Sequence, residues 1–150
     1  MQLRIPPPVV ALIFGIAMYL LARFLPFGHF DFFGRIYSIY GLTALAILLV
    51  VAAKWQFRKL NTTSNPLTPS KATSLVTAGI YNYSRNPMYL ALLLILLAWG
   101  LWLGNAFNIL LAAGFVGYMN KFQIVPEETA LFSKFGKSYH QYCILVRRWF

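Results

Sequence analysis

Cysteine and acidic residues are both scarce in this chain of 150 residues. It contains one cysteine, Cys143, and 3 Asp and Glu against 13 Lys and Arg. A single cysteine excludes a disulfide framework within the chain and a cysteine-based metal site. The two histidines, His29 and His140, lie far apart in the sequence and do not show the spacing of metal ligands. We therefore expect no metal site.

Charged residues of both signs make up only 11% of the chain, while 59% of the residues are hydrophobic. An ordinary soluble domain carries about 25% charged residues. Mean hydropathy is +0.63, and this composition predicts an integral membrane protein. A net charge of +10 would indicate nucleic acid binding in a soluble protein, but cationic residues also flank membrane spans. We expect membrane lipids as partners, and no nucleic acid.

Two long apolar runs fill the first half of the chain. The first covers about residues 9–27, and the second covers residues 36–57 with aromatic residues at both ends. At 1.5 Å per residue, the second run can cross a hydrocarbon core of about 30 Å. The first run could be a signal peptide, but only Arg4 precedes it and no small-residue cleavage site follows. A retained span is expected.

Two further apolar runs, residues 87–104 and 106–125, are separated by a break at Gly104 and Asn105, which predicts a tight helical hairpin. Each run is somewhat shorter than the ~20 residues of an upright span. The expected fold is all-α: a polytopic membrane protein with about four transmembrane or hairpin helices. We expect residues 1–150 to form a single membrane domain, with two spans in residues 1–58 and a second half in residues 59–150.

The C-terminal tail predicts an amphipathic helix at the membrane surface, with a break at Gly136. Its apolar stripe is interpreted as a membrane anchor. The stripe consists of Leu131, Phe132, Phe135, Tyr139 and Tyr142.

Positive charge is distributed very unequally in this topology. If all four runs cross the membrane, only Arg23 and Arg35 of the 13 Lys and Arg lie on one side. The others share the side of both termini and of the 58–86 connection. The positive-inside rule then predicts that both termini and the candidate site are cytoplasmic.

The stretch "SRNPMY" at residues 84–89 has a simple structural interpretation. Asn86 is a favoured N-cap and Pro87 fits the first position of a helix. The adjacent carboxylates Glu127 and Glu128 argue for more, because two carboxylates at a membrane interface need a cationic neighbour. Arg85 is the candidate, and paired ionisable residues at membrane depth indicate a functional site.

Residues 75–149 resemble the isoprenylcysteine carboxyl methyltransferase and phospholipid methyltransferase superfamily. The resemblance rests on "LVTAGIYNYSRNPMYL" followed by "EETALFSKFGKSYHQYCILVRRW". It implies an integral membrane methyltransferase that uses S-adenosyl-L-methionine (SAM). The absence of a GxGxxG turn excludes a Rossmann fingerprint for that cofactor. Two departures from the family pattern are Asn86, where the prenylcysteine enzymes usually have histidine, and Arg147, which replaces a common proline.

Carried over residue by residue, the resemblance assigns Arg148 and Glu128 to catalysis, with Arg148 near the reaction centre or the acceptor headgroup. It also implies that residues 59–150 are the cofactor-binding, catalytic half. The chemistry of SAM fits these residues, because a guanidinium such as that of Arg85 can pair with its carboxylate and a glutamate can accept from its ribose hydroxyls or ammonium. The residues implied in cofactor binding are Thr77, Gly79, Tyr81, Arg85, Asn86, Pro87, Tyr89, Glu127, Glu128 and Tyr139.

The predicted activity is methyl transfer from SAM to a lipid-like acceptor, either a phospholipid amine or the carboxylate of a prenylcysteine-type compound. An amine acceptor would need a base, for which Glu128 or a tyrosine is available. Two alternatives stay open: a membrane reductase of the sterol-reductase type that uses NADPH, and a non-enzymatic membrane scaffold. A bundle of four short helices is also compatible with a homodimer.

Overall fold

A computed structural model describes residues 5–25, 27–60 and 74–150. Arg4 and Lys71, which contribute to the predicted charge bias, lie outside these residues. The described part is helical and has no strand beyond one isolated bridge. Its α-helices are α1 (Pro7–Phe24), α2 (Arg35–Lys59), α3 (Pro87–Leu103), α4 (Asn108–Met119), α5 (Val125–Phe135) and α6 (Lys137–Leu145). A 3₁₀ turn covers Gly79–Asn82 and a π-helical segment covers Asn120–Ile124.

Helices α1 and α2 have the length and composition of membrane spans. They contain 18 and 25 residues, and an 18-residue window of each has a mean hydropathy of 1.8 and 2.2, respectively. Many of their large apolar side chains point outward, among them Leu12 and Leu48, each more than 60% exposed. Such a surface suits lipid rather than water. The first two predicted spans are confirmed as apolar helices of spanning length.

Helices α3 and α4 form the predicted hairpin. Helix α3 ends at Gly104, whose φ of 63° is the left-handed conformation that glycine adopts readily at a helix end. The two helices contain 17 and 12 residues, so each is shorter than an upright span. The hairpin is confirmed, while a count of four full spans stays a prediction.

The tips of the α1–α2 and α3–α4 connections meet, and we call this region the tip end. Phe30 N–H donates to Gly104 O at 3.0 Å, and Ala106 N–H donates to Gly28 O at 2.8 Å. The buried side chain of Asn105 donates to Phe27 O at 3.0 Å. This arrangement brings the Arg23 and Arg35 ends of α1 and α2 to one end of the bundle, as the charge pattern predicted. Orientation relative to the membrane stays a prediction.

The chain is helical without a break from α4 through the π-helical segment into α5. The backbone at Asn120 (φ −57°, ψ −49°) and at Ile124 (φ −70°, ψ −49°) is right-handed helical. The sequence predicts the fourth apolar run and the C-terminal tail as separate segments, whereas in the structure the helix continues through Pro126. A proline inside a helix clashes with the carbonyl four residues earlier, and a π-helical turn at this point opens the backbone for it. The helix ends at Gly136, where the predicted break is confirmed.

The aromatic stripe of the tail packs largely against the protein. Tyr139 and Tyr142 are 4% and 8% exposed and belong to a core cluster with Tyr81 and Val76. The interpretation of the whole stripe as a membrane anchor is therefore wrong for these two tyrosines. Phe132 fits it better, since its side chain is 52% exposed.

Candidate functional site

The irregular C-terminal segment, residues 146–150, folds back over the start of α3. Arg85 N–H donates to Arg147 O at 3.0 Å, and the Asn86 side chain donates to Arg148 O at 2.9 Å. The hydroxyl of Ser84, which is 3% exposed, donates to the same carbonyl at 3.4 Å. These contacts hold Arg148 beside Arg85, although the two residues are far apart in sequence. Asn86 occupies the N-cap position of α3 as predicted, but its side chain donates to the C-terminal segment and does not cap the helix.

Glu128 pairs with both arginines. Its carboxylate accepts from Arg148 Nε at 2.9 Å and from Arg148 Nη2 at 2.7 Å, which is a bidentate pair. Its Oε1 lies 3.1 Å from Arg85 Nη1. Arg85 and Glu128 are 13% and 18% exposed, so solvent screens this pair only in part. The hydrogen bonds with Glu128 raise the pKa of Arg148. The predicted pairing of the glutamate pair with Arg85 is confirmed for Glu128.

The neighbouring carboxylate has different surroundings. Glu127 Oε2 accepts a hydrogen bond from the Tyr89 hydroxyl at 2.8 Å. Loss of solvent around Glu127 raises its pKa to about 7, although the Tyr89 hydrogen bond opposes this shift and the charge of Glu128 adds to it. Burial, together with the charge of Glu127, also raises the pKa of Tyr81. The two adjacent glutamates therefore differ in role: one is ion-paired, and the other titrates near neutral pH.

An open cleft of about 470 Å³ lies beside the ion pairs. This volume falls within the ~300–1,000 Å³ of typical small-molecule sites. Arg85 is one of the residues that line the cleft, and its buried Nε has no hydrogen-bond partner among the described residues. An unpaired buried guanidinium nitrogen is costly, so an anionic ligand would relieve it. The cleft is lined by Arg85, Glu128, Thr129, Phe132, Tyr139, Cys143 and Arg148.

Four of the predicted site residues line this cleft, namely Arg85, Glu128, Tyr139 and Arg148. The others lie around it or behind it. Asn86 holds the tail, while Pro87 is buried at the first turn of α3. Tyr89 and Glu127 form the adjoining hydrogen-bonded pair. Their roles in cofactor binding stay predictions.

The predicted residues of the 3₁₀ turn have contacts within the protein. Gly79 has a φ of 65°, and a Cβ there would overlap the side chain of Gln56 in α2. Tyr81 is buried, packs edge-on against Phe57, and accepts a hydrogen bond at its carbonyl from the Tyr142 hydroxyl at 2.7 Å. Thr77 is half-buried and does not line the cleft. Their assignment to cofactor binding also stays a prediction.

Three lining residues were not predicted as site residues from the sequence: Thr129, Phe132 and Cys143. Cys143 Sγ lies 2.6 Å from Arg85 Nη1. Helical spacing could have found two of them, because Phe132 and Cys143 come four residues after Glu128 and Tyr139 and so share their helix faces.

The fold and this site together define a class: a helical membrane protein with an ion-paired cleft at one end of its bundle. A family model described as phospholipid methyltransferase matches residues 34–138, more than half of the chain. The chain belongs to the phospholipid methyltransferase family. This result confirms the resemblance found in the sequence and indicates a membrane methyltransferase with a lipid-like substrate. The match ends before Tyr139 and Arg148.

One similar protein, from Haemophilus influenzae (strain ATCC 51907 / DSM 11121 / KW20 / Rd), is described as "Uncharacterized protein". It is 58% identical over 62 residues, which are 41% of this chain and 98% of the relative. Its name carries no activity over to this chain. No solved structure matches the chain.

Proposed function

We propose that this protein transfers a methyl group from SAM to a lipid-like acceptor at the cleft formed by the start of α3, α5, α6 and the C-terminal segment. The observation that carries the proposal is the pairing of Glu128 with Arg85 and Arg148 inside a cleft of ligand size, in a member of the phospholipid methyltransferase family. When bound, SAM supplies an electrophilic methyl group on its sulfonium.

The cleft residues fit the chemical groups of this cofactor. The unpartnered Nε of Arg85 and the half-exposed guanidinium of Arg148 suit a carboxylate. The carboxylate of Glu128 in the cleft, and that of Glu127 beside it, suit ribose hydroxyls and positive charge. Tyr139 and Phe132 offer aromatic faces, which attract cations and stack on planar rings.

A base is available if the acceptor is an amine. The pKa of Glu127, raised to about 7, matches the ideal for a general base at neutral pH. Glu128 suits this role less well, because its two oxygens already accept from Arg85 and Arg148. We therefore move the proposed proton acceptor from Glu128 to Glu127 and keep Glu128 as the residue that orients both guanidiniums. A carboxylate acceptor would need no base.

The topology supports a membrane-borne acceptor. The cleft lies at the end of the bundle opposite the tips, beyond the apolar surfaces of α1 and α2. A lipid can then keep its chains in the bilayer while its polar group approaches Arg148. We propose that this end faces the cytoplasm, as the charge bias predicts.

Ligand-dependent thermal unfolding of the detergent-purified protein tests the cofactor class. A ligand that binds only the folded state at 100 times its Kd adds about 2.7 kcal/mol of stability. We expect S-adenosylhomocysteine to raise Tm, while NADPH leaves it unchanged. A rise with NADPH alone would assign the protein to the reductases, and no rise with either ligand would favour a scaffold.

Methyl incorporation tests the acceptor class. The protein is reconstituted in vesicles with phosphatidylethanolamine or with a farnesylated cysteine derivative, and methyl-labelled SAM is added. Arg85→Lys should lose at least about 10-fold of the turnover, because lysine cannot replace the planar guanidinium in the cleft. Arg147→Lys is the matched control, since that exposed neighbour contacts Arg85 only through its carbonyl. Full turnover in Arg85→Lys would contradict the assignment of Arg85.

A further inference from the structure

A second cavity lies near the tip end, far from the methyltransferase cleft. Its volume is about 410 Å³, and its lining comes from α1, α2, α3, α4 and both connections. Gly100 in α3 lines it, whereas Tyr89 adjoins the cleft. These residues are eleven positions apart on one helix, so the two sites are separated by about 16 Å. The methyltransferase proposal makes no use of this cavity.

The cavity wall is almost entirely hydrocarbon, with residues such as Met18, Leu42 and Leu97. One side chain in it is unlike the others. Asn108 is 2% exposed, and neither its Nδ2 nor its Oδ1 has a hydrogen-bond partner among the described residues. A buried amide without partners is costly, and such a group calls for an explanation.

Asn105, which also lines the cavity, shows the contrast. Its Nδ2 donates to Phe27 O at 3.0 Å, and its Oδ1 accepts from Phe107 N–H at 3.0 Å. The Asn105 amide therefore joins the two connections at the tip end, while the Asn108 amide has no hydrogen-bond partner among the described residues. Gly100 lets Met18 and Asn108 pack closely against α3, since a Cβ there would lie 3.0 Å from Met18 Cε and 3.4 Å from Asn108 Cβ.

The chemistry of the amide limits the occupant. A carboxamide offers a donor and an acceptor side by side, and a second carboxamide or a protonated carboxylic acid pairs with both at once. A phosphate or an ionised carboxylate would have to leave water for an apolar cavity without a cation, which is prohibitive. The hydrocarbon wall suits an alkyl chain, and the small volume suits one chain rather than two.

We propose that this cavity binds a single-chain lipid whose polar end is a neutral carboxamide or carboxylic acid, held by Asn108. The inference rests on the cavity and on Asn108, and it does not depend on methyl transfer.

Thermal unfolding of the purified protein tests the proposal with three ligands of one chain length. Dodecanamide both donates and accepts, N,N-dimethyldodecanamide accepts only, and dodecane does neither. We expect dodecanamide to raise Tm saturably by about 5 °C, and the other two by less than half of that. Equal rises in Tm with all three ligands, or no saturable rise with dodecanamide, would overturn the proposal. This test needs only the wild-type protein.

Asn108→Leu provides the second test. Because leucine fills a similar volume and removes the unpaired amide, the variant should unfold at the wild-type Tm or above it, and should respond equally to dodecanamide and dodecane. A purely structural role for Asn108 would instead lower Tm. Gln123→Leu is the matched control, since Gln123 is another buried amide of the same long helix that does not line this cavity. A preference for dodecanamide that persists in Asn108→Leu would contradict the assignment.

Discussion

The two ends of the helix bundle are held together by different chemistry. At the cleft end, Glu128 joins α5 to Arg85 before α3 and to Arg148 in the C-terminal segment through charged contacts. At the tip end, the neutral amide of Asn105 joins the two connections. An ion pair is also present at the tip, between Arg35 and Asp31, but Asp31 is 78% exposed. Exposed pairs of this kind contribute little.

This difference follows from what each end must do. At the cleft end, a charged ligand can replace one partner of an ion pair, so the side chains can rearrange when it binds. The strength of these ion pairs also depends on salt and pH. The buried amide of Asn105 makes its hydrogen bonds within the protein. The rigidity that these bonds give does not depend on salt or on pH. We therefore interpret the tip as the fixed end and the cleft as the end that responds to ligands. The following variants test this division.

Asn105→Ala should have the largest effect on stability. The substitution removes the bonds to Phe27 O and Phe107 N–H at a position that is 1% exposed, and it leaves both groups without that partner. Each such group costs about 1–3 kcal/mol, so we expect a loss of about 3 kcal/mol. Thermal unfolding at low and high salt should show the same loss. Asn82→Ala, at an exposed position, is the control. A loss of stability in Asn105→Ala that becomes smaller at high salt would contradict the proposed difference between the tip end and the cleft end.

Glu128→Gln should cost about 2 kcal/mol at low salt, because it leaves two guanidiniums facing each other without a counter-charge. The carboxylate also has a structural role, since it ties the C-terminal segment to α5. The loss should shrink as salt screens the repulsion.

Binding of S-adenosylhomocysteine to Glu128→Gln should weaken at least about 10-fold in calorimetry at a temperature where the variant is folded. Asp31→Asn, at the tip end, serves as the matched carboxylate control. Unchanged binding in Glu128→Gln would remove Glu128 from the site.

The sequence predicted much of the fold and part of the site. Long apolar runs define α1 and α2, and the Gly104–Asn105 break defines the hairpin, because these features depend on local residues and on solvent. The continuous helix through Pro126 was missed, since the π-helical segment that accommodates this proline has no clear sequence signal. The position of Arg148 beside Arg85 could be inferred only through the family resemblance, because a long-range contact through backbone carbonyls leaves no periodic pattern.

Glu127 should make stability depend on pH at the cleft end. Its pKa is about 7 in the folded protein and near 4.5 when unperturbed, so the folded state binds more protons between these values. Stability should therefore be greatest below about pH 4.5, fall as pH rises to about 7, and then level off. We expect a fall of about 1–2 kcal/mol, allowing for partial solvation of this half-buried group. Glu127→Gln should flatten the profile, measured as Tm against pH. An equally steep profile in this variant would assign the dependence to another group.

Asn86→Asp should have the smallest effect and distinguishes two roles of one residue. As an N-cap of α3, aspartate is as good as asparagine, so capping alone predicts no loss. The Asn86 side chain, however, donates to Arg148 O at 2.9 Å, and a carboxylate cannot donate to a carbonyl. We therefore expect Asn86→Asp to lose about 1 kcal/mol, measured by thermal unfolding, and Asn86→Ser, another capping residue, to lose about the same. Because that carbonyl belongs to Arg148, both variants should also weaken S-adenosylhomocysteine binding. Wild-type stability and binding in Asn86→Asp would mean that this residue only begins the helix, and that the contacts of Ser84, Arg85 and Glu128 are enough to hold Arg148 in the cleft.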